Sequence, residues 1–270
     1  MYENLQEAVH YIQKNYPFDP EVGIVLGTGL GDLAKEVIVV HEIPYHAIPF
    51  FPNSTVESHA GKLILGKISG KKVAVLQGRI HFYEGFSMQE VVFPIRILHL
   101  LGIKNLLLSN AAGALNPDFG LSDLMLIEDH IDFLSENPLI GRNIDQIGTR
   151  FPDMFEPYSQ KLIELAHQVA QENDLQLKEG VYVAVKGPNL ETRAEYKMFR
   201  SFGADAIGMS TVPEVIAAVH ANLPVLAVSV MTDLCSPNNL KPVTLSHVLK
   251  AAADAEPKLA LLFREIVKRL

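Results

Sequence analysis

Several apolar runs in this chain have no polar face, and that limits the fold more than any other feature. EVGIVLG (Glu21 to Gly27), NLLLSN (Asn105 to Asn110), VYVAV (Val181 to Val185) and LPVLAVSVM (Leu223 to Met231) have strand length and are apolar on both sides. A strand of that kind must be covered on both faces, which calls for a sheet with helices on each side. Further strands are expected at Lys62 to Ile68, Lys71 to Gly78 and Leu124 to Ile131, and Ser69-Gly70 between the first two is a hairpin signal. Helices are expected at the N-terminus, where Leu5, Val9 and Ile12 share one face, and around Ser87 to Leu101, Tyr158 to Asn173, Thr192 to Phe202, Thr211 to Ala221 and Leu245 to Leu270. A hairpin combined with β-helix-β crossovers implies an α/β fold around a mixed sheet. No linker or low-complexity stretch interrupts the pattern, so one domain over residues 1–270 is the simplest organisation.

Charge narrows the partners. A formal net charge of -8 with no basic tract argues against a nucleic-acid surface. A small anion remains compatible, because helix ends and one or two arginines can bind it against an acidic background. Cys235 is the only cysteine, so no internal disulfide forms and nothing indicates an oxidising compartment. No apolar stretch reaches membrane-spanning length and the N-terminus lacks a signal-peptide pattern, so no membrane partner and a cytoplasmic location are expected.

Polar residues collect at the strand ends. In Lys186 to Val215, Thr192 with Glu195 and Thr211 with Glu214 both have the spacing of a capping box, predicting two helix starts. Glu191 and Ser210 each precede one of these caps by a residue, and a hydroxyl beside unpaired N–H groups at a helix start suits an anion. Gly27 to Asp32 reads GTGLGD, which displaces the third glycine of a dinucleotide fingerprint; what remains is a turn whose N–H groups and Thr28 hydroxyl could hold a phosphate, or a tight turn serving geometry alone. After Gly78, alternation puts Arg79, His81 and Tyr83 on one side of an extended segment, a costly set to bury without a ligand to serve. SNAAGALNP, Ser109 to Pro117, supplies small residues that allow close approach to the backbone.

Other chemistries fail on spacing. Ser210 lies in GMSTV, without the second glycine of a nucleophile elbow. The ten histidines form no H-E-x-x-H and have no cysteine partners, so no metal is expected. A lone cysteine such as Cys235 is more often inert than nucleophilic.

Taken in order, GTGLG, SHAG (Ser58 to Gly61), QGRIHFYEG, NAAGALNP, GPNLETRAE, GADAIGMSTVPEV and the late MTD resemble the trimeric class of purine nucleoside phosphorylases over nearly the whole chain. The resemblance implies a mixed, partly barrel-like sheet flanked by helices, a homotrimer, and reversible phosphorolysis of purine nucleosides with inorganic phosphate as co-substrate and no other cofactor. It implies phosphate binding by Thr28, His59, Arg79, His81, Ala111 and Ser210. The ribose would meet Tyr83, Met209, Leu245 and a neighbouring subunit's Phe151, and the base would meet Ala112, Gly113, Leu190, Glu191 and Asp233. Glu191, Asp233 and His81 are the implied catalytic groups.

The chemistry suits these residue types, because phosphate attacks C1′ as the glycosidic bond breaks through an oxocarbenium-like state. Arg79 with the N–H and hydroxyl groups of the Gly27 and Ser210 turns would hold the anion, while Glu191 and Asp233 would relieve charge on the leaving purine. Three positions depart from the family pattern: Asp233 stands for the usual Asn, Leu190 for an aromatic residue, and Leu245 for a His directed at the 5′-hydroxyl. A carboxyl donates to the purine N7 only when protonated; otherwise it accepts from an exocyclic amine. Inosine and guanosine are the expected substrates, with adenosine or methylthioadenosine as the alternative, and His247 is the other candidate for the 5′-hydroxyl.

Overall fold

The structure is a computed structural model that describes residues 1–55, 60–236 and 240–270. Its helices are α1 (Tyr2–Asn15), α2 (Met88–Val91), α3 (Phe93–Leu100), α4 (Gln160–Glu172), α5 (Arg193–Ser201), α6 (Val212–His220) and α7 (Leu245–Arg269). Its strands are β1 (Val22–Leu26), β2 (Ile38–Pro44), β3 (Lys62–Ile68), β4 (Lys71–Gln77), β5 (Asn105–Ala114), β6 (Leu124–Asp132), β7 (Leu177–Ala184), β8 (Ala206–Gly208) and β9 (Val225–Leu234). Among the described residues these nine strands form one sheet in the order β2-β3-β4-β1-β5-β8-β7-β6-β9, and β5 pairs with β9 as well. That extra pairing closes β5, β8, β7, β6 and β9 into a ring, so the mixed sheet is partly a barrel.

β5 is the hub. Its first half, Asn105 to Leu108, runs parallel to β1, and its last two residues pair antiparallel with β8. β9 runs parallel to it along Leu106 to Ala114. One edge of β5 is therefore held by β1 and then by β8, and the neighbouring strands diverge around Ser109 to Ala112. A crevice where strands part is where α/β sheets place their ligands.

Burial accounts for the strands read from apolar runs. Every residue of β1 is buried, as are the first eight of β9. α1 buries Leu5, Ala8, Val9 and Ile12. The hairpin turns at Ser69 and Gly70 with φ of 49° and 85°, the doubly left-handed turn that suits strand twist.

Four local expectations change. The helix expected over Ser87 to Leu101 is two helices that part at Val92, with Pro94 in the first turn of α3, where its missing N–H costs nothing. β5 and β9 run further than their apolar runs, so Asn110 to Gly113 and Asp233 lie within strands rather than in loops after them. β2 and β8 have no strong sequence signal: β2 is an edge strand whose Ile38, Val39 and Val40 are exposed, and β8 has three residues. Lastly, Thr192 and Glu195 form the expected capping box, whereas Thr211 and Glu214 do not.

Candidate active site

The failed cap shows how the site is built. Glu214 does not reach back to the Thr211 N–H because Arg79 holds it inside the protein: Nε lies 2.9 and 3.0 Å from its two carboxylate oxygens and Nη2 lies 2.9 Å from Oε2. Both residues are 3% exposed. Arg79 Nη1 also donates to the Ser109 carbonyl at 2.8 Å. A buried guanidinium is stable only with such a partner.

Thr211 has a positive φ, 70° with ψ -56°, the centre of a γ-turn closed by the Val212 N–H on the Ser210 carbonyl and unusual for a β-branched residue. Its hydroxyl accepts from Asn110 Nδ2 at 2.8 Å and lies 3.1 Å from Ser210 Oγ. The Ser210 N–H donates to the buried Tyr182 hydroxyl at 3.3 Å, and the Gly27 N–H donates to Ser109 Oγ at 3.2 Å. These two N–H groups, expected to serve an anion, are spent on the protein. The hydroxyls of Thr28 and Ser210 line the cavity instead, beside Arg79, His81 and Ala111.

His81 is set by Glu84. Its Nδ1 lies 3.0 Å from Glu84 Oε1, which also accepts the His81 N–H, and its ring stacks on Tyr83 with centroids 4.6 Å apart. Burial pushes the His81 pKa down, outweighing its hydrogen bond to Glu84, which pulls it up. Burial would raise the Glu84 pKa, yet hydrogen bonds from His81 and Thr55 bring it down to about 2. With Glu84 ionised, the neutral imidazole donates through Nδ1 and keeps Nε2 as an acceptor.

The remaining wall is formed by Leu190, Glu191, Met209, Asp233, Ala112, Gly113 and, from α7, Val248. Burial raises the Glu191 pKa; hydrogen bonds to its own backbone and to Tyr196 oppose this, and the Asp233 charge adds to it. Asp233 Oδ1 lies 3.1 Å from Thr232 Oγ1 and Oδ2 lies 3.2 Å from Cys235 Sγ. Gly113 is needed here, because a β-carbon on it would sit 2.5 Å from Cys235 Sγ and 3.0 Å from Asp233 Oδ2.

β5 measures the distance between the two ends of the cavity. The Arg79 guanidinium lies at Ser109, Asn110 lines the same end, and the Asp233 carboxylate lies against Gly113, three to four residues on, which is roughly 10–13 Å of strand. An anion at one end and a hydrogen-bonded heterocycle at the other would be joined by a group of sugar size, with Tyr83 and Met209 on the cavity wall.

Of the sequence-derived residues, Thr28, Arg79, His81, Tyr83, Ala111, Ala112, Gly113, Leu190, Glu191, Met209, Ser210 and Asp233 line this one cavity. Leu245 does not: it is the first residue of α7, 64% exposed, and Val248 three residues later faces the cavity. His247 is exposed as well. Phe151 is 86% exposed and lies in a separate surface hollow with Ile140 and Met154. His59 lies outside the described residues. Sequence reasoning missed Asn110, Tyr182, Thr232 and Val248 as parts or supports of the site; Glu214 was read only as a cap.

Known proteins share this sequence and fold. Residues 21–268 match the phosphorylase superfamily. The chain is 44% identical to purine nucleoside phosphorylase 1 of Geobacillus stearothermophilus, covering 98% of this chain and 97% of that protein. Isoform 2 of purine nucleoside phosphorylase from Schistosoma mansoni, solved with cytosine and ribose-1-phosphate, superposes with a TM-score of 0.96 at 42% identity over 100% of this chain and 97% of that one. A Schistosoma mansoni purine nucleoside phosphorylase solved with inosine gives 0.92 at 42% identity over 99% and 96%. A shared sheet, a shared length and this level of identity place the chain in the purine nucleoside phosphorylase family of pentosyltransferases.

Proposed function

We propose that the chain catalyses reversible phosphorolysis of inosine, guanosine and their deoxy counterparts, with inorganic phosphate as the only co-substrate. The observation that carries this reading is one cavity with Arg79, Thr28 and Ser210 at one end and a carboxylate at the other, roughly 10–13 Å away along β5. Phosphate held by Arg79, Ser210 and Thr28 is aimed at C1′; as its oxygen bonds to C1′, the C1′–N9 bond breaks and the electron pair stays on the purine. His81 Nε2, as an acceptor, holds a protonated phosphate oxygen. Glu191 accepts from the N1–H of a 6-oxopurine, Asp233 stands beside the base at the same end of the cavity, and the departing purine takes up a proton from water. Free purine and ribose 1-phosphate are the products, which suits a role in purine salvage.

The exposure of Phe151 supports a homotrimer. Phe151, Phe155 and Ile140 are all strongly exposed, an unusual amount of large apolar surface for one region. In a homotrimer Phe151 would cover the ribose in a neighbour's cavity, and a cytoplasmic location accords with the lone reduced cysteine. Among the described residues no helix is long and apolar enough to cross a membrane.

A phosphate-omission assay tests the reaction. Strict dependence of inosine turnover on phosphate is expected; turnover in its absence would make the enzyme a hydrolase, and no turnover under either condition would make the chain a binding protein. Sedimentation tests the assembly, with a fully active monomer contradicting the trimer.

A further inference from the structure

Asp233 is not a plain replacement for an amide. Its two oxygens have separate neighbours, Thr232 Oγ1 at Oδ1 and Cys235 Sγ at Oδ2. Thr232 is an undecided partner, because its one hydroxyl proton also has the Ala112 carbonyl as an acceptor at 3.3 Å. If Thr232 donates to that carbonyl, its oxygen can receive a proton from Asp233, and the carboxyl could then act as a donor. Cys235 breaks the tie.

Cys235 is 1% exposed and packs with Leu115, Tyr196 and Ile207 in a small apolar cluster beneath the base end of the cavity. The absence of a β-carbon at Gly113 is what lets its sulfur and the Asp233 carboxylate lie side by side. Burial first, and then the neighbouring Asp233 carboxylate, push the thiol pKa up, so the sulfur keeps its proton. A protonated thiol at 3.2 Å from Oδ2 donates to it, and a donor at that oxygen favours a carboxyl that presents acceptors over one that presents a proton. Facing the purine, such a group attracts an N–H and repels a carbonyl oxygen.

We propose that Cys235 is a specificity-determining positioning residue: by donating its thiol proton to Asp233 it keeps that carboxylate an acceptor toward the base, so the site takes 6-aminopurine nucleosides in addition to 6-oxopurine ones. The proposal rests on the phosphorolysis reading above. Glu191 completes the reading of such a base. Tyr196, from α5, interacts with both Glu191 and Cys235, tying the two carboxylate positions together. When Glu191 bears a proton it donates to the unprotonated N1 of an aminopurine, and when ionised it accepts from the N1–H of an oxopurine.

The test compares kcat/KM for adenosine and inosine at saturating phosphate in the native enzyme and in Cys235→Ala, Cys235→Val and Cys235→Ser. The native enzyme is expected to phosphorolyse both nucleosides. The two donor-free variants should lower the adenosine-to-inosine ratio at least tenfold with the phosphate KM moved less than threefold, and Cys235→Ser, whose hydroxyl can donate, should restore the ratio. Absence of adenosine turnover in the native enzyme overturns the proposal. So does an unchanged ratio in both donor-free variants, or a Ser variant that behaves like the Ala variant. If native enzyme turns over neither nucleoside, the phosphorolysis reading itself has failed and this one falls with it; active inosine turnover separates that case from the others.

Discussion

The two ends of the cavity are built in opposite ways. At the Arg79 end the polar side chains are buried and already bonded to the protein, Arg79 to Glu214 and Ser109, His81 to Glu84. At the base end Leu190 is half exposed and Glu191 half buried, on the short segment that links β7 to α5. The difference teaches what each end asks of its ligand. A phosphate always presents the same tetrahedron of oxygens, so a rigid pre-paired site can receive it without reorganising. Purines differ at two ring positions, and a more open wall with paired carboxylates can meet more than one of them.

Breaking the buried pair should have the largest effect. Glu214→Ala leaves the Arg79 charge buried without its carboxylate and should cost about 3–5 kcal/mol in denaturant unfolding. Arg79→Ala should cost a similar amount and also raise the phosphate KM while lowering kcat. The double variant Arg79→Met with Glu214→Leu sharpens the comparison: stability should largely return, as expected when apolar residues replace a buried pair, while phosphate-dependent turnover stays lost. Recovery of turnover would remove Arg79 from the phosphate site.

The base end should respond in the reverse manner. Glu191→Ala is expected to lower kcat/KM for inosine by roughly a hundredfold or more, with unfolding free energy changed by less than about 1 kcal/mol. The phosphate KM should barely move. Equal loss at both substrates would place Glu191 in the scaffold instead.

A pH titration of stability probes Glu84. Its folded pKa, about 2, lies below the ordinary 4.5, so its contribution is fully present above pH 4.5 and is lost as pH falls toward 2. Glu84→Gln should flatten the fall in unfolding free energy across that window; an unaltered slope would show that other carboxylates account for it. The smallest effect is expected for Phe151→Ala. An exposed ring adds little to its own subunit, so stability should stay within about 0.5 kcal/mol while the nucleoside KM rises.

Much of this was legible in the sequence, because both strong signals in it are local. Two-sided apolar runs gave β1, β5, β7 and β9, and the Thr192–Glu195 spacing gave the start of α5. The cavity residues of the Arg79 and Glu191 segments came from patterns a few residues long. What stayed hidden depends on partners far away in the chain. Thr211 and Glu214 have the same local spacing as Thr192 and Glu195, and only a guanidinium 135 positions away turns Glu214 inward. Asn110 and Tyr182 look like strand filler until Thr211 and Ser210 meet their polar atoms. Leu245 and Val248 differ by less than one helical turn, a distinction that waits for the exact docking of α7.

The same long reach fixes the order in which the interior can dry. As a chain is made from its N-terminus, Arg79 is present long before α6, which carries the Glu214 carboxylate bonded to it. Until α6 docks, that guanidinium must stay hydrated or bear an uncompensated desolvation cost. Early collapse of the first strands therefore has to leave a wet notch at the end of β4. In that order the Arg79 end of the cavity dries only once α6 is in place.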